Sequence, residues 1–118
     1  GKPDKKLYRI NEDGRAELQR WLAAGHTDPV VMKHSVLLKL YFGHMSNPET
    51  LARLLTEYVT ELRAQQGELA VVQEFMENEP GFEYPALAAE WGYRHMETDA
   101  QMAQELIARL SSSAGEEA

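Results

Sequence analysis

Cysteine is absent from the 118 residues, which excludes a disulfide framework and any thiolate metal site and suits a reducing cytoplasm. No apolar run approaches the roughly 20 residues that a membrane span requires, and no signal-peptide pattern is present, so no membrane partner is expected. A nucleophile motif, a glycine-rich phosphate loop and a carboxylate pair in an apolar setting are also missing. The chain therefore does not read as an enzyme, and no cofactor is expected. His95 and Asp99 stand at helical i, i+4 spacing, but two ligands do not make a metal site. Positive charge is scarce too. Twelve Lys and Arg face nineteen Asp and Glu, for a net charge of −7.

That deficit is uneven. Residues 1–15 hold Lys2, Lys5, Lys6, Arg9 and Arg15 against Asp4, Glu12 and Asp13, a balance of +2, so the remainder carries −9. A basic strip can touch phosphates, whereas the acidic remainder is repelled by them.

What the chain does have is helix punctuation. Asn11 is a good N-cap, because its side-chain oxygen accepts from a free amide of the first turn, and Glu12 and Asp13 then suit the positive end of the helix dipole. Leu18, Trp21 and Leu22 share a face, and Gly25 is the stop signal. Asp28-Pro29 is a start signal for a helix expected from Val30 to Phe42, which is apolar nearly all round and ends at Gly43. Asn47-Pro48-Glu49 repeats the cap-plus-proline device and opens a helix expected from about Pro48 to Glu79. Its seam, Leu51, Leu55, Tyr58, Leu62, Gln65, Leu69, Val72 and Met76, follows the alternating four and three steps of a coiled coil, with one polar break at Gln65 and Gly67 marking a bend. Asn78-Glu79-Pro80-Gly81 is a turn. Pro85 opens the last helix, expected to reach about Leu110 along Ala86, Ala89, Tyr93, Met96, Ala100, Ala103, Ile107 and Leu110, followed by a frayed polar tail from Ser111. A second stripe, Leu87, Trp91, Met102 and Leu106, lies on another side of it.

The expected fold is all-α: a long antiparallel, coiled-coil-like helical hairpin with short preceding helices. One hairpin cannot bury two apolar stripes and a fully apolar helix. The surplus predicts a homodimer of intertwined chains, with an interface at Trp91, Tyr93, Met96, Ala100, Ala103, Ile107 and Leu110.

One stretch does not fit an all-helical frame. Tyr8-Arg9-Ile10-Asn11-Glu12-Asp13-Gly14 reads as the end of a strand running into a capped helix, and a lone strand has no ladder partner. Extended to Leu18, it resembles the wing-to-helix junction of bacterial PadR-like transcriptional regulators, with Asn11 where that family usually has threonine. Val36-Leu37-Leu38-Lys39-Leu40-Tyr41-Phe42-Gly43 resembles the leucine-rich stretch that opens the same family's C-terminal domain. The long helix, the break and a last helix with Gly92 early in it complete the likeness. The family's mid-helix tryptophan is matched by Met102.

The resemblance implies that residues 1–25 are a residual wing strand and the last helix of a truncated winged-helix domain, and that 26–118 form a helical dimerisation and effector domain. DNA is then read by an N-terminal recognition helix that these residues do not include, with Lys2, Lys5 and Lys6 near the DNA backbone in the intact protein. It also implies a small aromatic effector, for which Trp21, Tyr41, Phe42, Trp91, Tyr93 and His95 are the candidate pocket. The alternative is a helical adaptor that mediates protein association only.

Overall fold

The computed structural model describes residues 9–29 and 33–117, with the side chains of 114–117 excluded. The elements in order are α1 (Glu12–Ala23), α2 (Ser35–Tyr41), a 3-10 turn (Gly43–Met45), α3 (Pro48–Glu77) and α4 (Glu83–Glu117). No strand occurs among the described residues. The expected wing strand falls partly on Tyr8, and Lys2, Lys5 and Lys6 likewise lie outside the described residues; Arg9, Ile10 and Asn11 are irregular. The chain divides into two compact units, residues 1–33 and 34–118.

In the first unit α1 begins as its cap signal predicts. The Asn11 side-chain oxygen accepts from the Gly14 amide at 2.7 Å, and the helix ends one residue before its Ala24 C-cap. It buries no residue. Leu18, Trp21 and Leu22 remain exposed, and Trp21 and Leu22 flank a small hollow with His26 and Asp28.

The second unit is a helical hairpin with a short helix at its open end. Asn47 caps α3 by accepting from the Thr50 amide at 2.8 Å, and Pro48 occupies the first turn, where its missing N–H costs nothing. At the closed end the turn carries a left-handed Gly81 with φ of 89°, a conformation glycine adopts without steric penalty. The α4 seam packs as its periodicity predicts. Ala86, Ala89, Ala100 and Ala103 are buried, and Tyr93, Met96, Ile107 and Leu110 are half-buried between them. Small side chains let two helices approach closely, and the approach is tight at Gly92, where a Cβ would meet the Leu69 side chain at 3.2 Å.

Four expectations need correction. First, α2 starts at Ser35 rather than Val30, since Pro29, Lys33 and His34 are not helical. Val30, Val31 and Met32 lie outside the described residues; His34 takes an extended backbone as the N-cap, which sets the helix start. Second, the polar residue in the α3 seam is Gln66, which is 5% exposed, and Gln65 faces solvent. The inward residues run Leu55, Tyr58, Leu62, Gln66, Leu69, Gln73, Met76, with two successive steps of four at Leu62 and Gln66. A helix of 3.6 residues per turn drifts about 20° per heptad from a strict 3.5 repeat, so an inward face that follows the straight helix skips a position. Third, α3 ends at Glu77, with Asn78 as its C-cap, rather than at about Glu79. Fourth, α4 continues past Leu110 to Glu117, because no helix breaker stands between Leu110 and Gly115 and propagation adds a hydrogen bond per residue.

Candidate functional site

The open end of the hairpin is where three elements converge. Val36 of α2, Leu55 of α3 and Ala103 of α4 form the buried cluster, with Leu40, Val59, Leu106 and Ile107 packed against it. Leu55 is the most enclosed large side chain, at 1% exposure. Beside this cluster lies a polar clasp. The Tyr58 hydroxyl donates to the Asp99 carboxylate and stands 3.0 Å from His34 Nε2. Tyrosine has one proton, and it is committed to Asp99, so the hydroxyl oxygen must accept from an Nε2–H of His34. Asp99 Oδ2 is itself 3.5 Å from the same nitrogen. Burial, then the hydrogen bond and charge of Asp99, push the Tyr58 phenol far above an ordinary tyrosine, so it is a permanent donor. His34 is the N-cap position of α2 and makes no capping bond through its side chain. The clasp therefore ties the entrance of α2 to both long helices.

α2 is only seven residues long, and it overhangs α3 to leave a groove. Leu38 of α2 and its C-cap Phe42 line it on one side and Leu51 and Leu54 of α3 on the other, with Met45 also in the lining. Lys39, Ser46 and Thr50 supply the polar lining, around a volume of about 460 Å³. Asp99 belongs to the clasp, so it is not available to His95 in the way the i, i+4 spacing suggested.

Halfway along the hairpin a second polar group interrupts the apolar seam. The Gln66 amide donates to Glu97 Oε2 at 2.8 Å, Arg63 donates to the same oxygen and to Gln66 Oε1, and Gln101 reaches Glu97 Oε1 at 3.0 Å. The bonds from Gln66 and then Arg63 hold the Glu97 carboxyl below the usual glutamate range.

The sequence-predicted pocket residues are dispersed. Tyr41 and Phe42 touch edge to face at 5.1 Å between ring centres, yet Phe42 lines the α2 groove and Tyr41 a separate hollow with His44 and Pro48. Trp91 and His95 share a shallow depression on α4 with Leu87, Arg94 and Thr98. Tyr93 turns inward, and Trp21 belongs to the first unit. The expected interface residues also divide. Ala100 and Ala103 are covered by the chain's own fold, at 0% and 5% exposure, whereas Trp91 is 77% exposed. At about 100° per residue, Leu87, Trp91, Thr98 and Met102 lie on the side of α4 opposite the alanine seam.

Residues 32–111 match the model of the family described as virulence activator alpha C-term. The chain belongs to this family. The matched span holds α2, its groove, the clasp and most of the hairpin; the Tyr8–Leu18 stretch lies outside it. Among solved structures, a PadR-like transcriptional regulator from Bacillus cereus matches with a TM-score of 0.73 at 15% identity, over 87% of this chain and 61% of that one. At that identity the likeness is one of fold, and it places the PadR-like resemblance at the level of architecture. The chain spans 61% of that regulator's length. No curated protein matches it.

The groove, the clasp and Gln66 were not read from the sequence as a site. Each depends on which residue of a seam turns inward, and His34 lay within a helix expected to start earlier.

Proposed function

We propose that this virulence activator alpha C-term chain is the dimerisation and effector-response module of a PadR-like transcriptional regulator, with DNA read by a winged helix on its N-terminal side. The observation that supports this most is the unpartnered stripe on α4. Leu87, Trp91 and Met102 are 60%, 77% and 51% exposed on a helix whose other face is already filled. The stripe is also self-complementary. Leu87 and Met102, and likewise Trp91 and Thr98, are equidistant in sequence from the point between Arg94 and His95. Two α4 helices crossing antiparallel about a two-fold there set Leu87 of one chain opposite Met102 of the other, and Trp91 opposite Thr98. A two-fold interface requires that reciprocity.

A second reading, a helical adaptor, predicts the same stripe. It has no use for the capped Asn11 junction, and the fold likeness to a regulator favours the first. Light scattering should find the chain at twice its own mass, and Trp91→Glu should return it to a monomer with its helix content intact. A well-folded wild-type monomer at micromolar concentration would remove the interface. In the intact protein, an aromatic effector alters operator affinity only if it binds the two arrangements of the DNA-binding heads unequally.

A further inference from the structure

We propose that the groove under α2 binds an aliphatic organic acid, with its chain between the α2 and α3 walls and its carboxylate at Lys39. This deepens the effector-response reading and rests on it, but the ligand class and the site come from the groove itself. The walls are Leu38, Phe42, Leu51 and Leu54, without a polar atom among their side chains, so the body of the ligand must be apolar. Of the eight lining residues Lys39 alone is charged, and among the described residues no carboxylate lies within ion-pairing distance of it. The hydroxyls of Ser46 and Thr50, also in the lining, supply further donors for a second carboxylate oxygen. A cationic ligand would meet the ammonium and be repelled, and a neutral one would gain no ion pair from it.

The rest of the molecule sharpens the selection. A chain with net charge −7 disfavours anions generally, so a carboxylate is held only where a local cation and an apolar wall coincide. At about 460 Å³ the groove falls within the size range of small-molecule sites. Because α2 forms one wall and is anchored by the clasp, an occupant bears directly on the element that follows the first unit in sequence.

The test uses the 118-residue chain and three probes of equal chain length: decanoate, decanol and decyltrimethylammonium. Affinity is read by calorimetry and position by backbone amide shifts. Decanoate should bind at least about tenfold more tightly than either other probe, with shifts concentrated in residues 38–54. Lys39→Gln should erase that preference while leaving the decanol affinity unchanged, and Lys39→Arg should keep it. Leu54→Trp, which fills the groove, should weaken all three. Equal affinity for the three probes overturns the proposal, as does a preference that survives Lys39→Gln. Shifts centred on the Leu87–Thr98 depression overturn it too. So do residues 38–54 that respond only to protein dilution, since a second copy would then occupy the groove. These readouts involve no DNA and do not require the dimer, so their failure is distinct from failure of the regulator assignment.

Discussion

The two ends of the α3–α4 hairpin use the same pair of helices and finish them differently. At the open end a third element lies across the pair, and Val36, Leu55 and Ala103 close a buried apolar cluster flanked by the clasp. At the closed end no described element of the second unit lies across. Phe75 and Phe82 meet edge to face at 5.8 Å but remain 57% and 37% exposed, and Val71 is 70% exposed. The charges differ as well. Residues 64–93 contain six glutamates and no lysine, arginine or histidine, while His34, Lys39 and His44 lie in or beside α2. Two helices alone bury one stripe each; a third element, even of seven residues, turns a stripe into a core. The difference also bears on assembly, since the glutamates from Glu68 to Glu83 carry one sign of charge and repel their own copy, whereas Glu90, Arg94 and His95 beside Trp91 are mixed.

The contrast is broken most severely from inside the shared seam. Ala100 is fully buried, and Ala100→Glu would place an unpaired carboxylate there at a cost of several kcal/mol. Loss of the helical circular dichroism signal at 25 °C is the expected result. Next comes a matched pair of truncations. Leu55→Ala at the open end should cost about 2–5 kcal/mol, as cavity-forming substitutions do, and Val71→Ala at the closed end under about 0.5 kcal/mol, as surface substitutions do. Equal losses in urea unfolding would mean that the two ends are not different in kind.

Tyr58→Phe should have an intermediate effect of about 1–2 kcal/mol, because it leaves His34 and Asp99 without their shared partner. Hydrogen exchange should then quicken in residues 34–42 and not at Phe75. The smallest effect concerns acid. A carboxyl whose folded pKa is lowered adds stability above its unfolded pKa and loses it as pH falls through the folded one. Glu97 should therefore contribute at neutral pH and fade below the ordinary glutamate range. Glu97→Gln should flatten that acid limb of the thermal denaturation profile.

Much of the frame was legible because it rests on local chemistry. Asn11 and Asn47 announce their helices through a side-chain bond three residues away, and the alanine seam of α4 declares its inward face by spacing alone. What was not legible depends on comparing helices. Whether Gln65 or Gln66 turns inward is decided by slow angular drift along α3, and the strict heptad gave the wrong neighbour. The start of α2 was misplaced because a proline start signal outweighed His34, whose extended backbone caps the helix. The pocket aromatics were grouped by type, yet Phe42 and Trp91 line separate surfaces of the second unit. The groove's charged lining residue, Lys39, stood in a run read for its apolar residues.

Gln66 has one more consequence, for sliding. A seam of leucines on one helix and alanines on the other is permissive, and shifting α4 by a turn would still set small residues against large ones. The buried amide does not tolerate that shift. It donates to Glu97, which Arg63 also holds, and a displacement of one turn would leave the amide and the carboxylate without each other. Together with the Tyr58–Asp99 bond of the clasp, this polar contact acts as a registration pin in an otherwise apolar seam. It sets how far the closed end projects beyond α2, and in a two-fold pair of such hairpins it would also set the distance between their two open ends.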